Sequence, residues 1–238
     1  MILKQNVGIE AVKFSWKPLL ITTGRFVLLL AAVQALRAVI YQVLFRGLTL
    51  AGIERTNIFW SGISSATFVL VGVLLLTELH PGVSRLGLGC QGISRRERMF
   101  TLAGGLILAA LTAVSIAIDP LQILPTIHSC VVIPLFEELL FRGWGWGQIE
   151  AALPAHWRGW GALILITVLF GLWHLGYTDV VALRMAAHPE FSAALGKVMA
   201  SKVIIGAAVG FLAGLARQRS GRVYGSIIIH AMWNLFGK

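Results

Sequence analysis

Pro134-Leu135-Phe136-Glu137-Glu138-Leu139-Leu140-Phe141-Arg142-Gly143-Trp144 sets three full charges inside a segment otherwise as apolar as a membrane span. At the centre of a bilayer an ionised side chain costs from ~2.5 to more than ~10 kcal/mol, so such groups face the protein interior, find partners and mark function. Read as a helix, the stretch puts Glu138 and Arg142 four residues apart on one face with the acid N-terminal, the favourable order for an ion pair. Glu137 lies about 100° further round. Arg142 then neutralises Glu138 and leaves Glu137 as the free carboxylate, aimed at whatever other helices bring to it. The alternative is a buried structural salt bridge with a spare glutamate at a water interface.

The rest of the chain agrees with a membrane setting. Of 238 residues 57% are hydrophobic and only 13% charged, with a mean hydropathy of +0.82, far from the makeup of a soluble domain. Apolar runs of roughly 20 residues suit helices crossing ~30 Å of hydrocarbon, and their lack of strict alternation argues against an outer-membrane barrel. The expectation is an all-α, polytopic transmembrane bundle of about seven spans, forming one domain over residues 1–238. Its partner is the lipid bilayer. The net charge of +10 does not imply nucleic acid, because Lys and Arg sit between the apolar runs, where they set topology and meet anionic headgroups. Cys90 falls in a loop and Cys130 in a span, so no disulfide is expected. The first seventeen residues are mixed polar and carry Lys4, Lys13 and Lys17, so the first span is expected to serve as the insertion signal.

Taken in order, the first span runs from about Leu19 to Phe45 and holds Arg25, Gln34 and Arg37, the last of which must snorkel or meet an acid. The second, Ile58 to Leu79, stops at His80-Pro81-Gly82. A basic loop with Arg85, Arg95, Arg96 and Arg98 follows, long enough for a short amphipathic segment on the membrane surface. The third span, Met99 to Ile118, ends at Asp119-Pro120, and the fourth, from Leu121, carries the two glutamates and is kinked by Pro125 and Pro134. If that helix continues to about Ile149, Glu137 falls near mid-membrane. The fifth spans Gly161 to Tyr177 and leads into a polar loop with Asp179, Arg184, His188 and Glu190. In the sixth, Lys197 to Ala216, Gly206, Gly210 and Gly214 share one face and permit close contact with a neighbouring helix. The seventh is short, Arg222 to Phe236. Lys and Arg concentrate in the N-terminal arm, the second-to-third loop and the sixth-to-seventh turn, while Arg46, Arg55, Arg184 and Lys238 are sparse on the other side. The positive-inside rule then puts the N-terminus in the cytoplasm.

Three late spans carry polar groups at helical spacing: Glu137 and Glu138 with Arg142, then His174, then His230 with Asn234. Each alone reads as a satisfied interhelical hydrogen bond. Together they have a chemical use. A carboxylate beside an imidazole can hold a water molecule and take its proton. His230 and Asn234, four apart, can aim N–H donors at one point, as an oxyanion site requires. One glutamate and two histidines also match the ligand set of a catalytic zinc, although the sequence shows few acceptors to orient the histidines, Glu138 being claimed by Arg142 and Asp179 lying five residues after His174.

Glu137-Glu138-x3-Arg142, Phe170-x3-His174 and His230-x3-Asn234, in this order on successive late spans, resemble the three motifs of the CPBP family, which comprises type II CAAX prenyl proteases and bacteriocin-processing membrane proteins. The resemblance covers residues 134–236. It implies that Glu137 activates water with His174, that His230 and Asn234 stabilise the oxyanion, and that Glu138, Arg142 and Phe170 support the site. It also implies a membrane-associated peptide or protein substrate, prenylated at a CAAX-type terminus in the eukaryotic relatives, and location in the plasma or inner membrane. Residues 125–238 then form the catalytic core and 19–124 the variable N-terminal spans; the seven spans are one fewer than the eight of the CAAX-cleaving members. The metal-free, glutamate-based mechanism is preferred, with no cofactor, because an amide at Asn234 adds little to a zinc that already polarises the carbonyl. Competing readings are the zinc-dependent protease, an ion-coupled transporter and a non-catalytic immunity or scaffold protein. The absence of internal repeats weighs against the transporter.

Overall fold

The computed structural model describes residues 15–187 and 194–236. It is helical, in seven elements: α1 (Lys17–Leu50), α2 (Asn57–Leu79), α3 (Arg95–Ile118), α4 (Pro120–Ala152), α5 (Arg158–Ala187), α6 (Leu195–Ser220) and α7 (Tyr224–Phe236). Six are long and apolar enough to cross a membrane. The seventh, α7, has only 13 residues, so at 1.5 Å per residue it reaches about 20 Å, short of the hydrocarbon thickness. Expected positions Lys4, Lys13, His188, Glu190 and Lys238 lie outside the described residues.

Local chemistry sets the helix ends. Thr56 caps α2 by accepting from Phe59 N–H at 3.3 Å, and His80, in the left-handed region at φ 41°, closes it ahead of Pro81. Ser94 and Glu97 form a reciprocal capping box that starts α3 at Arg95. The preceding basic loop holds turns and no amphipathic helix, because its backbone is used for tertiary bonds: Gly87 C=O accepts from Val223 N–H at 3.3 Å and Leu88 C=O from Tyr224 OH at 2.5 Å. Gly221, at φ 66°, ends α6 and turns the chain into α7.

The fourth element is not a simple α-helix. Two π-helical stretches, His128–Val132 and Leu139–Gly145, interrupt it. The first ends where Ile133 N–H bonds His128 C=O, immediately before Pro134, whose missing N–H could not have continued the α ladder. The helix continues to Ala152, so Glu137 sits close to the middle of the Pro120–Ala152 span.

Outward faces are apolar, as lipid requires: Leu106 is 72% and Ile118 80% exposed, and α3 buries no residue at all. Inside, Phe26 and Leu30 of α1, Phe141, Trp146 and Ile149 of α4, and Leu163, Ile166, Phe170 and Trp173 of α5 form the core. Helices in lipid gain little from apolar contact as such, so close approach depends on small residues. α5 packs most extensively on α6, and the three spaced glycines make that contact. A Cβ on Gly206 would lie 2.5 Å from His174 Nδ1, one on Gly210 would lie 2.9 Å from both Phe170 Cδ1 and Arg142 Nη2, and one on Gly214 would overlap Leu163.

The fifth helix does not stop at Tyr177. A 3₁₀ turn, His174–Tyr177, tightens it, and it continues as α-helix to Ala187 through residues expected to form a polar loop. The reason is Arg37: its guanidinium meets Asp179 Oδ1 at 2.7 Å and Gly176 C=O at 2.8 Å, so Asp179 is neutralised against α1 instead of facing solvent.

Candidate active site

Glu137, Glu138 and Arg142 are all buried, at 1%, 0% and 0% exposure. The expected ion pair is present, Arg142 Nη1 donating to Glu138 Oε1 at 3.2 Å. That pair alone would leave the guanidinium underserved. Arg142 Nη2 also donates to Gly210 C=O at 2.6 Å, and the guanidinium lies 4.2 Å from the Phe170 ring centre, a cation–π contact worth about 2 kcal/mol when desolvated. Arg217 of α6 in turn donates Nε–H to Arg142 C=O at 2.8 Å, which ties the π-helical stretch to α6.

The histidine of α7 joins the same carboxylate. His230 Nδ1 lies 2.9 Å from Glu138 Oε1, so an ionised Glu138 fixes the tautomer with the proton on Nδ1. The other ring nitrogen, Nε2, is then directed at Glu137, 3.8 Å from Oε2. His174 is oriented by its own helix: Nδ1 donates to Phe170 C=O at 2.8 Å and leaves Nε2 as an acceptor. Both imidazoles pack edge-on against Phe170, with ring centres 5.1 Å (His174) and 5.7 Å (His230) away. Each histidine therefore donates Nδ1–H to an acceptor, Glu138 for His230 and Phe170 C=O for His174, which corrects the expectation that such acceptors are few. Nearness in sequence was the wrong guide, because Glu138 has lone pairs for both Arg142 and a ring from another helix.

Glu137 has partners that the sequence did not single out. Its Oε1 accepts from Trp173 Nε1–H at 2.8 Å and from the Tyr177 hydroxyl, and Trp173 Nε1 also lies 2.7 Å from the Tyr177 oxygen. Its Oε2 is buried without a hydrogen-bond partner. The signal available was the spacing of Trp173 and Tyr177, four apart on the helix that carries His174. Asn234 is placed on the same side of α7 as His230, and its Nδ2 donates to Ser129 C=O at 2.8 Å, bridging α7 to the first π stretch of α4. That bond uses one of its two N–H donors. Among the described residues no three His, Cys, Asp or Glu side chains converge in a metal-ligand arrangement.

Buried acid and imidazole groups at the meeting point of α4, α5, α6 and α7, in a bundle with six membrane-length helices, define an integral membrane protein with a screened polar site. Residues 119–236 match the family described as type II CAAX prenyl endopeptidase Rce1-like, and through this half of the chain the protein belongs to that family of membrane proteases. No curated protein and no solved structure matches it.

Proposed function

We propose that the protein is an intramembrane endopeptidase in which Glu137 and His174 activate water, and that its substrate is a membrane-associated peptide with a prenylated, CAAX-type C-terminus. The observation that carries this reading is the asymmetry of Glu137: Oε1 is held by Trp173 and Tyr177, while buried Oε2 is unpartnered and faces His230 Nε2 at 3.8 Å. A water held by Glu137 Oε2 and the acceptor Nε2 of His174 loses a proton to the carboxylate as its oxygen adds to the scissile carbonyl. The tetrahedral intermediate collapses when Glu137 returns that proton to the leaving amine. The second N–H of Asn234 donates to the oxyanion, and His230 does so from Nε2 when that nitrogen carries a proton.

The donor set favours a metal-free reaction. One oxygen of Glu137 is occupied by two protein donors, and a donor of Asn234 is held beside the site, roles that a zinc centre would not need. We place the N-terminus in the cytoplasm from the Lys and Arg distribution. The test is incubation of detergent-purified protein with a fluorogenic prenylated CAAX peptide and its unprenylated counterpart. Cleavage of the first and much slower cleavage of the second is expected; no cleavage of either overturns the proposal.

A further inference from the structure

The family match begins at residue 119, yet α1 reaches the turn of α5 that flanks the site. Gln34 Nε2 donates to Trp173 C=O at 3.1 Å, and its Oε1 accepts from Arg37 Nε at 2.7 Å. Arg37, itself 3% exposed, extends Nη2 to Gly176 C=O and Asp179, and its guanidinium lies 5.4 Å from the centre of the Tyr177 ring. Gly176 permits this approach, since a Cβ there would overlap the Gln34 side chain. Apart from the Gln34–Arg37 bond within α1, these contacts fall on the 3₁₀ turn His174–Tyr177 and on Trp173 and Asp179 at its two ends, where the helix tightens and its carbonyls need outside donors. The same turn supplies both donors to Glu137 Oε1.

We propose that α1 is a working part of the active site: Gln34 and Arg37 hold the turn whose Trp173 and Tyr177 fix one oxygen of Glu137, leaving the other for the reacting water. Trp173, Tyr177, Gln34 and Arg37 are positioning residues, and the proposal rests on the reading of Glu137 as the general base. A carboxylate with a single rotamer presents Oε2 in one direction, toward the place of the reacting water. The bonds also explain how Arg37 is accommodated in a helix otherwise apolar enough to cross a membrane. The charged and titratable groups around Glu137 are Glu138 and Arg142 from its own helix, His174 and Tyr177 from α5, Lys202 from α6 and His230 from α7, with Arg37 of α1 behind Tyr177.

The test uses two variants of the full chain in detergent. Tyr177→Phe deletes one oxygen and keeps the ring; Arg37→Gln combined with Asp179→Asn removes the clasp without leaving a lone buried charge. Dicyclohexylcarbodiimide reacts with protonated buried carboxyls, and fragment mass spectrometry separates adduct on Glu137 from adduct on Glu138. In Tyr177→Phe, labelling of Glu137 at one fixed pH should rise several-fold over wild type while labelling of Glu138 stays as it was, because a donor that occupied Oε1 is gone. Turnover of the prenylated peptide should fall about tenfold with KM unchanged, and the double variant should shift both readouts in the same direction. Arg37→Lys, which keeps the charge and a donor, should return part of the wild-type labelling profile. Unchanged labelling in Tyr177→Phe, or a double variant indistinguishable from wild type, overturns the proposal. Because labelling needs no substrate, it decides the matter even if no peptide is cleaved, in which case the protease reading falls alone.

Discussion

Arg142 donates to the backbone carbonyl of Gly210 at 2.6 Å, so one nitrogen of a buried guanidinium on α4 is served by main chain that only a glycine on α6 can bring close enough. The α5–α6 contact and the charge balance of the site therefore share one residue. Gly210→Ala places a methyl 2.9 Å from Arg142 Nη2 and from Phe170 Cδ1, both in the packed interior. Overpacking of this kind costs about 1–3 kcal/mol, so a clear fall in Tm is expected in detergent, with reduced activity. An unchanged Tm would show that α6 can move outward freely.

Glu137→Gln keeps an oxygen for Trp173 and Tyr177 and removes the base. Hydrolysis should drop by at least 10²–10⁴-fold with little loss of folded protein, and His174→Ala should do the same by removing the second water acceptor. Turnover of the CAAX peptide beside a thermal melt checks both. Wild-type rates in Glu137→Gln would show that another group is the base.

Glu138→Ala should behave differently. It strips the ion-pair partner from Arg142 and the Nδ1 acceptor from His230 in one change. Breaking a buried pair costs about 3–5 kcal/mol in soluble proteins, so reduced yield and Tm are expected ahead of any catalytic reading. Should Glu138→Ala melt like wild type while Glu137→Ala unfolds, the two roles are reversed.

Metal dependence separates the two hydrolytic mechanisms. Activity should survive exhaustive chelation, and elemental analysis of active protein should find no stoichiometric zinc. Activity lost on chelation and restored by zinc would leave the protease reading in place and overturn the glutamate-only chemistry.

The apolar runs and their caps made the bundle legible: α2 begins and ends within one residue of expectation, and Glu138–Arg142 pairs as i,i+4 spacing requires. Periodicity fails where bonds between distant elements decide. Asp179 and Arg184 look like loop residues because polarity in sequence says nothing of a partner 142 positions away on α1. The chain between His80 and Ser94, expected to hold a short amphipathic segment, forms local turns such as Gly87 N–H to Ser84 C=O, tied down by bonds from Val223 and Tyr224 that sequence spacing does not show. At the site, residue types at helical spacing pointed to Glu137, His174 and His230. The roles of Trp173 and Tyr177 depended on which rim of a tightened helix faces Glu137, which a sequence read as uniform α-helix does not contain.

The π-helical stretch Leu139–Gly145 carries Arg142 and leads directly into Trp146 and Ile149, both buried in the core. A π segment is equivalent to one residue inserted into an α-helix. Deleting a single residue between Leu139 and Gly145 would let the ladder close to the α pattern with the turns on either side still in phase, so Trp146 and Ile149 would keep their place in the core. What would go is the widened turn that carries Arg142. The extra residue of this stretch therefore serves the site, while the packing beyond it would survive the loss.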